Sequence, residues 1–124
     1  MINLRRLQLR KYSRSEVDEI ISKATTTIVG LVRPKRVIVF GSALSDQFDD
    51  HSDLDFVVIL DAPEDVKRPR QALYRNGLLE TRSCDFLCVD EAAFTRKSEF
   101  GGVYYVAATE GRSVFERSNP PTSL

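Results

Sequence analysis

The chain has 124 residues, 42% of them hydrophobic and 29% charged, with 18 Lys and Arg balancing 18 Asp and Glu. A length of this order suits one compact domain with a real core and does not fit a second catalytic or substrate domain. No apolar run approaches the ~18 residues of a membrane span, and the opening MINLRRLQLRKY lacks the apolar stretch of a secretory signal, so a cytoplasmic location with no membrane contact is expected. The charge balance hides an asymmetry: residues 1–36 hold nine Lys or Arg against three acids, whereas residues 41–66 hold eight acids and no Lys or Arg. Such an anionic stretch repels a nucleic-acid backbone unless metal ions sit in it, which argues against nucleic acid as a partner.

Along the chain, Ser13 and Glu16 form a capping-box pattern ahead of Val17, Ile20, Ile21, Ala24 and Ile28, whose spacing predicts a helix ending near Gly30 and Pro34. RVIVF (Arg36 to Phe40) reads as a short buried strand, and SALSDQF after Gly41 as a short helix. LDFVVIL (Leu54 to Leu60) is a second strand closed by Asp61 and Pro63, and a helix from Pro69 carries Ala72, Leu73 and Leu79. CDFLCV (Cys84 to Val89) is the third strand, with Asp90 placed to cap the helix after it. Phe94 to Glu110 is mostly helical, loosened by Gly101 and Gly102, and SVFE adds an edge strand before the tail SNPPTSL. This alternation predicts an α/β domain with one sheet. Cys84 and Cys88 fall in one strand, ~13 Å apart and beyond disulfide reach, so both read as free thiols in a reducing compartment.

The chemistry concentrates in FGSALSDQFDDHSDLDFVV, Phe40 to Val58. On a strand alternate side chains share a face, so Asp53 and Asp55 project together with Val57 and Ile59, while Leu54, Phe56, Val58 and Leu60 take the other. Two carboxylates ~6–7 Å apart beside a core are costly without compensation, and a divalent cation resolves the conflict. Oxygen ligands without His or Cys suit magnesium, which takes one or two carboxylates plus substrate phosphates. Gly41 and Ser42 offer the phosphate a close backbone approach. Asp46, Asp49 and Asp50 read as a solvated loop, His51 as a loop residue near the acids, and Tyr104 and Tyr105 as packing and partner surface.

Gly41-Ser42, ten residues, then Asp53-Leu54-Asp55 resembles the Gly-Ser-x10-Asp-x-Asp signature of minimal nucleotidyltransferases, in the DNA polymerase beta superfamily. The likeness extends to the strand before the Gly-Ser, the strand carrying the two acids, the CDFLCV strand with Asp85 near its start, and the closing VYYVAATEGRSVF, so that residues 35–116 can be laid onto the pattern. The resemblance implies a polymerase beta palm-like nucleotidyltransferase fold, a mixed sheet flanked by helices. Residues 13–117 would form the domain, 1–12 an N-terminal segment and 118–124 a disordered tail. It implies two magnesium ions on Asp53, Asp55 and Asp85, a triphosphate, usually that of ATP, held by Ser42 and the Gly41 backbone, and attack of an acceptor hydroxyl on the α phosphorus with release of pyrophosphate. Asp85 would help deprotonate that hydroxyl.

One departure is plain: many relatives carry a basic Ala-Arg-Gly shortly after the Gly-Ser, where this chain reads Leu44-Ser45-Asp46. Lys67 or Arg68 would then supply the missing cation, or nucleotide binding is weak. Stand-alone minimal nucleotidyltransferases are often antitoxins that transfer AMP to a hydroxyl of a helical HEPN-type toxin, so the implied partner is such a protein, or a second copy of the chain. Two alternatives accompany this reading: a non-catalytic binding module with the same fold, and a transferase for a small hydroxylated molecule such as an antibiotic.

Overall fold

The computed structural model describes residues 10–62, 66–75 and 82–118. Helix α1 runs Arg14–Val32, strand β1 Arg36–Phe40, a single 3₁₀ turn Gly41–Leu44 and strand β2 Leu54–Leu60. Helix α2 is Lys67–Arg75, strand β3 Cys84–Asp90, helix α3 Glu91–Ser98, helix α4 Gly102–Glu110 and strand β4 Arg112–Glu116. The four strands form one sheet in the order β3-β2-β1-β4. Antiparallel pairs flank β1 on both sides, and β2 and β3 run parallel, joined by the crossover that contains α2. This is an α/β domain with a mixed sheet and helices on both faces.

Local chemistry explains most element ends. Ser13 accepts the Glu16 amide and Glu16 reaches back to the Ser13 amide, a complete capping box worth ~1 kcal/mol. The far end of α1 falls between Gly30 and Pro34, as expected. Gly30 lies inside the helix, and Arg33, at φ 47°, makes the left-handed cap by donating its amide to the Val29 carbonyl. Pro34 then prevents continuation. The SALSDQF helix shrinks to the 3₁₀ turn, closed by the Ser45 amide on the Ser42 carbonyl. Pro69 is the third residue of α2 rather than its first, and Leu79 and Gly77 lie outside the described residues, as does most of the SNPPTSL tail. Asp90 stands at the N-cap of α3, yet its side chain makes no cap hydrogen bond. Gly101 and Gly102, at φ 85° and 71°, break the predicted long helix into α3 and α4 by turning the chain where side chains are strained.

The sheet is buried on both faces, so β2 reads as a continuous apolar run after Asp55. One core lies under α1 and α2, where Val17, Ile21, Ala24, Ile28 and Leu73 pack on Val37, Val39, Leu54, Phe56, Val58 and Phe86. The other lies under α3 and α4, where Phe94 and Ala107 pack on Ile38, Phe40, Val57, Ile59 and Val89. The predicted division of β2 between two faces is therefore observed. Cys84 and Cys88 are free thiols, half-buried and buried. Burial pushes the Cys84 thiol up to about 12 and the Cys88 thiol up to about 11, which makes both poor nucleophiles. Among the described residues no helix is long and apolar enough to cross a membrane.

Candidate active site

Sheet register brings the acids together. In the antiparallel β1–β2 ladder Phe40 faces Asp55, and in the parallel β2–β3 ladder Asp55 faces Asp85. Phe40, Asp55 and Asp85 thus form one row across three strands, and residues paired across a ladder share a face. Strand separation places the two acidic Cα atoms ~4.8 Å apart. Asp53, one residue before β2, projects to the same side and is exposed. Since β2 and β3 run parallel, all three acids sit at the N-terminal ends of their strands, at one rim of the sheet.

The electrostatics reflect this crowding. Asp55 is held above its ordinary value, first by burial, then by the charges of Asp85 and Asp53, and by a hydrogen bond with Asp85. Gly41 closes the row from above. At φ 76° its missing side chain is what admits the Asp55 carboxylate, since a Cβ there would lie 2.5 Å from Asp55 Oδ2. Gly41 therefore sits directly against Asp55, and Ser42, beside it in the 3₁₀ turn, is exposed.

The donor set fits a hard divalent cation: oxygen only, crowded and open on one side. Among the described residues no three His, Cys, Asp or Glu side chains close around a single point as a metal cage. An open carboxylate set of this kind suits magnesium, which completes its shell with water and substrate phosphates.

Several residues that the sequence did not single out hold this rim in place. Arg82, just ahead of β3, donates through Nη1 to the carbonyls of Asp49 (3.0 Å) and Ser52 (2.6 Å), while its guanidinium lies over the Phe48 and Tyr12 rings at 4.5 and 5.2 Å. It thereby clamps the loop that delivers Asp53. The N-terminal segment holds the same loop. Lys11 and Asp49 form a β-bridge, and Asp50 accepts from the Tyr12 hydroxyl at 2.6 Å and the Arg10 amide at 3.1 Å. These bonds, Tyr12 first, keep the Asp50 carboxyl below its usual range. Asp49 is half-buried and accepts the His51 amide at 2.9 Å, so Asp49 and Asp50 are tied down rather than merely solvated; Asp46 and His51 are exposed. Arg14 on α1 donates to the Ala43 carbonyl at 2.7 Å and pairs with Asp18. The basic side chain found in contact with the Gly41–Leu44 turn is thus Arg14, whereas Lys67 and Arg68 are exposed on α2. A clustering of basic residues before Arg36 was visible in sequence; their long-range contacts were not.

Residues 19–102, spanning both the Gly-Ser turn and the three acids, match the family described as Nucleotidyltransferase domain. The chain belongs to that family. No curated protein and no solved structure matches the chain. Membership supports transfer of a nucleoside monophosphate as the general activity and a nucleoside triphosphate as donor, and the mixed sheet flanked by helices agrees with the family's domain.

Proposed function

We propose that this nucleotidyltransferase domain is a magnesium-dependent enzyme that moves AMP from ATP onto a hydroxyl of a protein partner. The observation that carries the proposal is the Phe40–Asp55–Asp85 row with Gly41 against Asp55 and Asp53 beside it: three acids and a glycine that opens the turn at one rim. Asp53, Asp55 and Asp85 would hold magnesium, which supplies charge neutralisation for the triphosphate and the leaving pyrophosphate. Gly41 leaves its backbone open to the β and γ phosphates, and the Ser42 hydroxyl adds a donor to them. Asp85, on the outer strand of the row, takes the proton of the acceptor hydroxyl as its oxygen bonds the α phosphorus and the bond to pyrophosphate breaks.

A protein acceptor is supported by the apolar surface on and beside α4. Phe100 is 83% exposed, Tyr105 52% and Val103 46%, more than a helix turned only to water needs. A HEPN-type toxin neutralised by the modification is the partner class we favour. The stretch Leu44-Ser45-Asp46, without a cation of its own, favours a second reading in which the fold masks its partner by contact alone.

Purified chain with labelled ATP and magnesium, offered a cell lysate, tests both. A labelled protein band that disappears with Asp53→Ala plus Asp55→Ala supports transfer. Labelling undiminished in that variant would overturn the catalytic assignment. A co-purifying but unlabelled partner would favour masking, and a labelled small product a small-molecule acceptor.

A further inference from the structure

An open groove of about 1190 Å³ runs along the outer edge of β3, the strand that carries Asp85. Phe86, Leu87 and Cys88 form its floor, α2 one wall and Tyr104 of α4 the other. Leu87 lies two residues beyond Asp85 on the same face, so the groove begins one strand repeat, ~6–7 Å, from the acid.

Two features define what fits there. The first is charge. Helix α2, KRPRQALYR, has no acidic residue, and its Lys67, Arg70 and Arg75 all line the groove. None of the ion pairs found among the described residues involves them. The second is the closed edge. Ser83 accepts the Leu54 amide from β2, so the alternate residues Cys84, Phe86 and Cys88 turn their backbone groups outward. The Phe86 amide is already taken by the Tyr74 hydroxyl at 2.9 Å, and Phe86 and Cys88 are buried. A further strand cannot simply add to β3, and recognition falls to side chains: guanidinium and ammonium groups on one wall, aromatic rings on both.

We propose that this groove seats an acidic polypeptide segment of the acceptor, held by Lys67, Arg70 and Arg75 against the aromatic residues, along the edge of the strand that also carries Asp85. The identification of the occupant as the acceptor rests on the transferase reading above; the groove's preference for acidic polypeptide does not. Nucleic acid is the disfavoured polyanion, since a continuous phosphate backbone that follows β3 to its N-terminal end meets the carboxylates there, whereas a polypeptide can present acids to α2 and a neutral hydroxyl to that end.

The test is binding of a fluorescein-labelled random copolymer of glutamate and tyrosine to the full chain, by anisotropy, at low salt and without nucleotide or metal. Wild type is expected to bind, and Arg70→Glu with Arg75→Glu to bind at least about tenfold more weakly, as loss of two pairs and gain of two repulsions implies. Lys23→Glu with Arg96→Glu, the same charge change on α1 and α3, should stay within twofold of wild type, and Asp53→Ala with Asp55→Ala should bind no more weakly. All four substituted cations are exposed, and circular dichroism verifies folding. Absence of copolymer binding, equal weakening by the α1/α3 variant, or displacement by oligothymidylate at or below the concentration of unlabelled copolymer would overturn the proposal. Copolymer binding with this variant pattern in a protein that transfers no label would leave the groove standing and remove the transferase reading.

Discussion

Gly41→Ala tests the geometry of the site without touching any acid. The backbone there has φ 76°, a conformation that costs a residue with a Cβ ~1–2 kcal/mol. The added methyl carbon would stand 2.5 Å from Asp55 Oδ2 where ordinary contact begins near 3.4 Å, so the carboxylate or the turn must retreat by about 1 Å. A displacement of that size at a reacting centre costs ~10²-fold in rate. The assay pairs label transfer from ATP with thermal unfolding followed by circular dichroism. We expect transfer reduced ~10²-fold and a Tm lowered by several degrees, the stability loss being ~1–3 kcal/mol. In an Asp55→Ala background the same Gly41→Ala change should cost only the backbone component, because the steric partner is gone. Transfer within threefold of wild type in Gly41→Ala, or an unfolding cost unchanged by removing the Asp55 side chain, would refute the contact and the role built on it.

Three further outcomes are expected at the same rim. Asp55 is held above its ordinary value of 3.8 by burial, Asp85 and Asp53, so the folded state favours the protonated form and loses stability as pH rises above that value. Asp55→Asn should therefore raise Tm by up to a few degrees at pH 7 while abolishing transfer, the gain vanishing as pH falls to about 4; a lowered Tm at pH 7 would contradict this. Arg82→Ala removes two hydrogen bonds to the Asp49 and Ser52 carbonyls and should cost ~1–3 kcal/mol in urea unfolding, with transfer falling at saturating ATP because Asp53 loses its support. Chelation of divalent ions should stop transfer in wild type. ATP with magnesium should raise its Tm, by the equivalent of ~2.7 kcal/mol at a hundredfold excess over Kd, and leave the Asp53→Ala, Asp55→Ala variant unmoved.

How far the sequence reached depends on the range of the interaction concerned. The capping box of Ser13 and Glu16, the two faces of β2 and the edge strand β4 were legible because each is set by neighbours a few residues away. The end of α1 near Gly30 and Pro34 was legible too, although the left-handed cap itself falls to Arg33, a residue no propensity nominates. The helix expected after Gly41 gave way to one 3₁₀ turn because the chain must reach the Asp49–Ser52 loop that Lys11 and Arg82 hold. That Asp53 and Asp55 share a side could be read from strand alternation; that Asp85 faces Asp55 is a fact of parallel register, which local sequence does not encode. The compensation of the acidic stretch was invisible for the same reason. Its partners Arg10, Tyr12 and Arg82 lie some thirty to forty positions away.

The parallel pairing of β2 and β3 separates two jobs that many sites combine. Asp55 and Asp85 are fixed to each other by a rung of the sheet, while helix α2, which lies between them in the chain, supplies one side of the groove. Exchanging the exposed charges of α2 alone would leave both that rung and the Arg82 clamp on the Asp53 loop intact. A swap of this kind offers a route to redirecting the domain toward a new client without redesigning its reaction centre.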